Sequence, residues 1–252
     1  MEILKNPWKD KLMHLIKNSE ESIQITSPFV KEDICREILE AKKPNIRFEL
    51  ITDLPNAYSG ALDLTGLELI IKNKGIVKSY PKLHSKIYIF DSKKAIVTSG
   101  NLTNGGLLKN FEYGVLLDKI EIVSKIQGDF DKISKEANVI EYQWLTIAKQ
   151  IKKLSRPFQN KHEETNTYII ENTNNSIESA LKGWKLSMFK IISKLNQEFK
   201  LEEVYKFEEE LRRDYPKNKN IRAKIRQQLQ FLRDLGLIEF LSNNGEYKRL
   251  WK

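Results

Sequence analysis

The spacing of apolar positions changes character repeatedly along these 252 residues. Trp8 to Ile16 carries apolar residues at helical intervals. Ser22-Ile23-Gln24-Ile25-Thr26 alternates and predicts a strand, and Glu32 to Leu39 returns to the helical period. Phe48-Glu49-Leu50-Ile51, Leu67 to Ile71 and Ile76 to Tyr80 predict further short strands. Residues 83–90 alternate again. Ala95-Ile96-Val97 supplies a second run, with Lys93-Lys94 in the turn between them. Phe111 to Leu117 predicts another strand; Ile120 to Ala137 and Tyr142 to Leu154 predict helices. Such alternation implies an α/β fold, a mixed sheet flanked by helices, whose strand ends would carry a site.

The rhythm then breaks. Residues 155–178 are polar and irregular, least structured at Asn172-Thr173-Asn174-Asn175-Ser176, although Tyr168-Ile169-Ile170 is a candidate short strand. From residue 179 the pattern is helical again. Trp184 to Leu195, Leu201 to about Arg213, and Ile221 to Leu235 predict three helices, with Gly236 as a left-handed cap. Leu237 to Leu241 and Glu246 to Leu250 flank Ser242-Asn243-Asn244-Gly245, a hairpin signal. Three helices and a hairpin predict a C-terminal winged helix-turn-helix. The expected organisation is therefore an α/β domain over 1–154, a linker over 155–178 and a winged helix over 179–252.

Charge sharpens this division. Residues 1–150 hold 22 basic and 20 acidic residues, a net +2, whereas residues 151–252 hold 21 and 14, a net +7. A polyanion would be attracted to the C-terminal part at long range. The third helix would enter the major groove with Arg222, Lys224, Arg226 and Gln227, beside Lys217 and Lys219; Lys248 and Arg249 near the wing would contact phosphates. A solvated face paired to Glu208, Glu209 and Glu210 is the plainer reading of the same arginines. Cys35, the single cysteine, excludes an internal disulfide framework and fits a reducing cytoplasm; its helical setting makes it a packing residue. No signal peptide or membrane-spanning run is visible, so no membrane partner is expected.

Candidate chemistry sits between Leu83 and Glu112. His84, Lys86 and Tyr88 share one face of the alternating run, with Asp91 at its end. Thr98-Ser99-Gly100-Asn101 and Asn110-Phe111-Glu112 follow the next two runs. Phosphodiester displacement needs a nucleophile, a proton donor and fixed donors or cations around the phosphoryl oxygens. Imidazole can fill either of the first two roles, Lys86 can supply a point cation, and Ser99 and Asn101 can donate. An isolated His-x-Lys would be a strand histidine capped by a surface lysine. Asp91, Ser99, Asn101 and Glu112 at their offsets argue against that reading.

The pattern His-x-Lys-x4-Asp followed by Ser-Gly-Asn resembles the phospholipase D superfamily over about residues 20–145. The resemblance implies a phospholipase D-like mixed sheet and a covalent phosphohistidine on His84. Lys86, Ser99 and Asn101 would bind phosphate, Asn104 would be a further polar phosphate contact, and Glu112 would orient the histidine. Asp91 would be a structural partner rather than the base. No metal and no cofactor is implied. The stretch Ile225 to Gly236 resembles the C-terminal winged helix of Dam-replacing restriction endonucleases over about residues 180–252. That implies sequence-dependent binding of double-stranded DNA and leaves open whether adenine methylation is read. The metal-dependent nuclease pattern of those enzymes is absent here, so their chemistry is not carried over.

Superfamily chemistry uses two facing motifs, and this chain holds one. His14 lies in an amphipathic helical run and His162 in a polar stretch, neither with a lysine two residues on. A homodimer with one composite site is therefore expected. The leading expectation is a metal-independent, restriction-type DNA endonuclease in the cytoplasm. A DNA-binding regulator with a non-catalytic phospholipase D-like domain is the alternative; phospholipid hydrolysis and RNA cleavage fit the winged helix less well.

Overall fold

The computed structural model describes residues 1–157, 168–170, 176–242 and 244–251. The chain divides into two compact units, Met1–Leu145 and Thr146–Lys252. Residues 158–167 and 171–175 of the expected linker, including His162, lie outside the described residues. Among the described residues no helix is long and apolar enough to cross a membrane.

The first unit contains β1 (Glu2–Lys5), α1 (Lys9–Asn18), β2 (Ser22–Thr26), α2 (Glu32–Ala41), β3 (Arg47–Thr52), α3 (Leu64–Lys72), β4 (Ile76–Ser79), β5 (Ile87–Phe90), β6 (Lys94–Thr98), β7 (Tyr113–Leu117), α4 (Ile120–Glu136) and β8 (Asn138–Val139). These strands form one mixed sheet in the order β1-β7-β6-β5-β2-β3-β4-β8. Pairing is parallel at β2–β3 and β3–β4 and antiparallel elsewhere in the sheet. On one face α4 packs Val123 and Phe130 against Ile51, Ile89 and Ala95. Glu49, whose side chain is fully buried, anchors that packing: it meets Lys78 Nζ at 3.0 Å and Arg47 at 2.7 Å, and accepts a hydrogen bond from Ser134 Oγ on α4. Burial opposes the charge on Glu49, but the hydroxyl and the two cations outweigh it and hold the carboxyl below its ordinary range.

Residues 67–71 are helical, not the expected strand. Leu64, Leu67 and Ile70 bury one side of α3, and Gly66 lets it approach α2, since a Cβ there would lie 3.1 Å from Cys35 Sγ. A short apolar run fits either period until its partner is known. The strand expected over 83–90 begins only at Ile87. Thr26 ends the ladder with its side chain: its Oγ1 accepts from Ile87 N–H at 3.1 Å and meets Ser85 Oγ at 3.0 Å. His84 and Lys86 thus lie in the extended segment leading into β5.

At the other end of β5, Asp91 takes a left-handed backbone (φ 53°) and accepts backbone N–H groups of Glu20, Glu21 and Ser22 at 3.0, 2.8 and 2.9 Å. Partial burial raises its pKa, but these three donors dominate and depress it.

In the second unit α5 (Tyr142–Leu154) begins before the division between the units and leads to β9 (Ser155–Pro157), which pairs with β10 (Tyr168–Ile170). There follow α6 (Ser176–Ala180), α7 (Trp184–Ser193), β11 (Glu198–Lys200), α8 (Leu201–Tyr205), α9 (Glu208–Asp214), α10 (Ile221–Asp234), β12 (Ile238–Ser242) and β13 (Glu246–Arg249). The helix expected over 201–213 is two helices. The expected hairpin gains a third strand, in the order β11-β13-β12. Gly236 caps α10 at φ 69°, its N–H bonded to Arg233 O at 2.8 Å. α7, α8–α9 and α10 with this small sheet make the winged helix-turn-helix.

Asp91 generates a pH-dependent expectation. A depressed folded pKa adds stability above the unfolded value of about 3.9, and that stability is lost as pH falls through the folded pKa. Asp91→Ala should cost about 1.5–3 kcal/mol at pH 7, the range for charge-assisted hydrogen bonds. Urea unfolding of both forms should show the difference shrinking as pH is lowered from 5 towards 2.

Candidate active site

The ends of four strands meet at one edge of the first unit: the C-terminal ends of β2 and β6 and the N-terminal ends of β5 and β7. Antiparallel pairing of β5 with β2 and β6 brings the segment before β5 beside the segments after the other two. Thr98 N–H donates to Lys86 O at 3.2 Å, and Ser99 N–H to Tyr113 O at 3.0 Å. The sheet therefore gathers His84, Lys86, Ser99, Asn101 and Glu112 from three separate stretches of sequence.

His84 is exposed. Lys86, only 7 % exposed, lies behind it. Its ammonium donates to His84 O at 2.8 Å and stands 3.3 and 3.2 Å from the ring nitrogens Nδ1 and Nε2. A neutral imidazole has one acceptor nitrogen, so only one of those approaches can be a hydrogen bond. The nucleophile candidate thus faces solvent with a cation fixed against it. Tyr88, on the same side of the run, is fully buried: its hydroxyl donates to Gly100 O at 3.0 Å and its ring meets Trp8 edge-on at 5.4 Å. Burial, with Glu112 adding to it, pushes the Tyr88 phenol far above its ordinary range, so it serves as a neutral donor.

Ser99 Oγ donates to Glu112 Oε2 at 2.5 Å and accepts from Tyr113 N–H at 3.1 Å. Asn110 Nδ2 donates to the other oxygen of Glu112 at 3.2 Å. Glu112 is therefore held by Ser99 and Asn110, and it makes no hydrogen bond to His84 of the same chain. Asn101 Oδ1 is buried without a hydrogen-bond partner. Asn104 turns aside and donates to Asp33 Oδ2 at the start of α2. Asp91 sits seven residues beyond His84, about 23 Å along an extended chain. Its place is the β5–β6 turn and its partners are backbone amides, in keeping with a structural role. His14, on the exposed side of α1, meets Asn18 Nδ2 at 3.2 Å.

The basic residues expected to meet DNA divide into three groups. Lys217 and Lys219 are exposed in the turn before α10. On α10, Arg222, Arg226, Gln227 and Gln230 form an exposed stripe, and Lys224 donates to Gln227 Oε1 at 2.7 Å. Arg222 is paired with Glu208 at 2.7 Å, as the plainer reading anticipated. The two wing residues differ. Arg249 turns inward: its NH1 donates to Ser193 O at 3.2 Å and its guanidinium lies 5.7 Å from the Trp251 ring centre, so it braces β13 against α7. Lys248 lies in register with Glu198 and Glu239 on its two neighbouring strands. Tyr205, which also holds the α10 arginines, gave no signal in the sequence because it sits on another helix.

Comparison with known proteins agrees with this fold. Residues 12–134 match the family described as cardiolipin synthase, PLD-like domain, and residues 180–249 match the Dam-replacing HTH domain. The DISARM protein DrmC of Bacillus paralicheniformis is 25% identical over 142 residues, covering 52% of this chain. The match spans 59% of that relative's length. Among solved structures, Nuc from Salmonella typhimurium, a phospholipase D family member, superposes with a TM-score of 0.50 at 16% identity. It covers 56% of this chain and 97% of Nuc. By these matches the chain joins a phospholipase D-like domain, over residues 12–134, to a Dam-replacing-type helix-turn-helix domain, over residues 180–249.

Proposed function

We propose that the protein is a DNA endonuclease of restriction type. His84 cuts the phosphodiester through a covalent phosphohistidine, and the C-terminal winged helix selects where. The observation that carries this reading is the exposed His84 ring with the buried Lys86 ammonium 3.2–3.3 Å from its nitrogens. An imidazole nitrogen attacks phosphorus and the P–O bond to the leaving strand breaks. The departing oxygen takes a proton from a second imidazolium. Water then attacks phosphorus, the P–N bond breaks, and the second imidazole takes up the water's proton. Lys86 offers the fixed positive charge that phosphoryl transfer needs, so the cycle requires no metal ion.

The second imidazole comes from another copy of the chain. Two features support this. The sequence has a single His-x-Lys. Beside Ser99 the sheet also carries an exposed apolar row: Ile3 of β1 and Val97 of β6 both pair with Val115 of β7, at 56 % and 38 % exposure. Phe111, 89 % exposed, adjoins Glu112. Apolar area of this kind next to an incomplete site suits a symmetric interface. DNA is the substrate favoured by the winged helix and by the basic excess around it.

Plasmid nicking should persist in excess EDTA. His84→Ala should abolish it, by at least a thousandfold, while leaving duplex affinity within about threefold in a gel-shift titration. Cleavage lost on chelation and restored by magnesium would overturn the mechanism, and absence of nicking by the wild-type protein under all conditions would favour a non-catalytic regulator. Sedimentation equilibrium should give the mass of two chains, and Phe111→Glu should shift it towards one and remove cleavage. Full activity in a strictly monomeric species would refute the composite site.

A further inference from the structure

Two arginines one helical turn apart on α10 are held by the same tyrosine. The Arg222 guanidinium carbon lies 4.9 Å from the centre of the Tyr205 ring. Arg226 NH1 donates to the Tyr205 hydroxyl at 2.8 Å. Glu208 completes the clamp: its Oε2 accepts from Arg222 Nε at 2.7 Å and its Oε1 from Arg212 NH2 at 2.9 Å. Arg222 remains 60% exposed at its side chain, so the clamp orients it without covering it.

The choice of nitrogens matters. Arg222 is engaged through Nε, which leaves its NH1/NH2 end as a two-donor fork. Arg226 is engaged through NH1, which leaves its Nε/NH2 side as a second fork. Two parallel N–H donors match the O6 and N7 acceptors of guanine in the major groove. Four residues of helix span about 6 Å, close to two base steps of about 3.4 Å. A free arginine would have to give up rotamer freedom on binding; one already fixed does not.

We propose that Arg222 and Arg226 read two guanines about two base steps apart, and that Tyr205 and Glu208 are positioning residues for that readout. This rests on the proposed DNA-reading role of the winged helix and adds a base identity and two supporting residues to it. Glu208 also lowers the positive charge that Arg222 offers to any phosphate, which favours discrimination over indiscriminate binding.

The test is selection of bound duplexes from a random-sequence library, using the full chain carrying His84→Ala so that bound DNA stays intact. The parent should enrich two guanine positions, and Arg222→Lys and Arg226→Lys identify which belongs to which. Tyr205→Ala should weaken guanine discrimination at both positions by about tenfold or more. Tyr205→Phe, which keeps the ring and loses the hydroxyl, should weaken only the Arg226 position. Glu208→Gln should weaken only the Arg222 position and raise affinity for random duplex. Thermal melting and circular dichroism show that each variant is folded. Guanine positions that survive in Tyr205→Ala and Glu208→Gln, or a uniform loss of affinity with those positions intact, would overturn the inference, as would binding that enriches no guanine. Failure of the parent to bind duplex at all would instead overturn the proposed DNA-reading role.

Discussion

The candidate site depends on backbone packed directly against backbone. The segment from Ser99 to Gly106 folds back so tightly that a Cβ on Gly106 would lie 2.4 Å from Asn101 O, and one on Gly100 2.6 Å from Gly106 O. No side chain fits either place. Trp8 and Tyr88 close over the fold. The Trp8 indole N–H donates to Gly106 O at 2.9 Å and the Tyr88 hydroxyl to Gly100 O at 3.0 Å. These two carbonyls are thereby satisfied inside the protein, which makes burial of the loop tolerable. Asn101, whose side-chain oxygen has no hydrogen-bond partner, takes its position from this packing, while Ser99 is held in addition by Glu112 and Tyr113. A residue as remote in sequence as Trp8 is thus part of what sets the geometry around His84.

That explains what could and could not be read from the chain. The candidate site was legible because it is local: His84 and Lys86 are two residues apart, and Ser99 and Glu112 follow at short range. Period alone located β2, α2 and α4 nearly to the residue, since each presents a regular apolar face to one partner surface. It failed where a distant partner decides. β1 pairs with β7 more than a hundred residues away, and nothing local marks Glu2–Lys5 as a strand. Leu67 to Ile71 has the composition of a strand and becomes a helix because Gly66 fits against α2. The start of β5 was misplaced because Thr26 substitutes a hydroxyl for the backbone partner that Ser85 would otherwise need.

The same distinction separates the two sets of basic residues. Arg222 and Arg249 are alike in a charge count, yet one lies on the exposed stripe of α10 and the other reaches inward to a backbone carbonyl. Helical period predicted the first, because every fourth residue shares a face. Strand alternation was a weaker guide to Arg249, whose direction depends on α7 and Trp251. Charge therefore singles out a domain without showing which of its basic residues face outward.

Counted over the two compact units, the basic excess is almost wholly in one of them. Residues 1–145 hold 21 basic and 20 acidic side chains, a net +1, while residues 146–252 hold 22 and 14, a net +8. On the proposed function this imbalance has a kinetic meaning. A nearly neutral cleavage unit gains little from counterion release and dwells briefly on DNA by itself. Its local concentration near a phosphodiester is then set by the covalently linked reader. If cleavage also needs two copies to complete one site, two readers must be engaged near each other before either histidine can act. Weak intrinsic attraction in the cutting unit and a divided active site then work in the same direction: both suppress cleavage where the reader does not hold the chain.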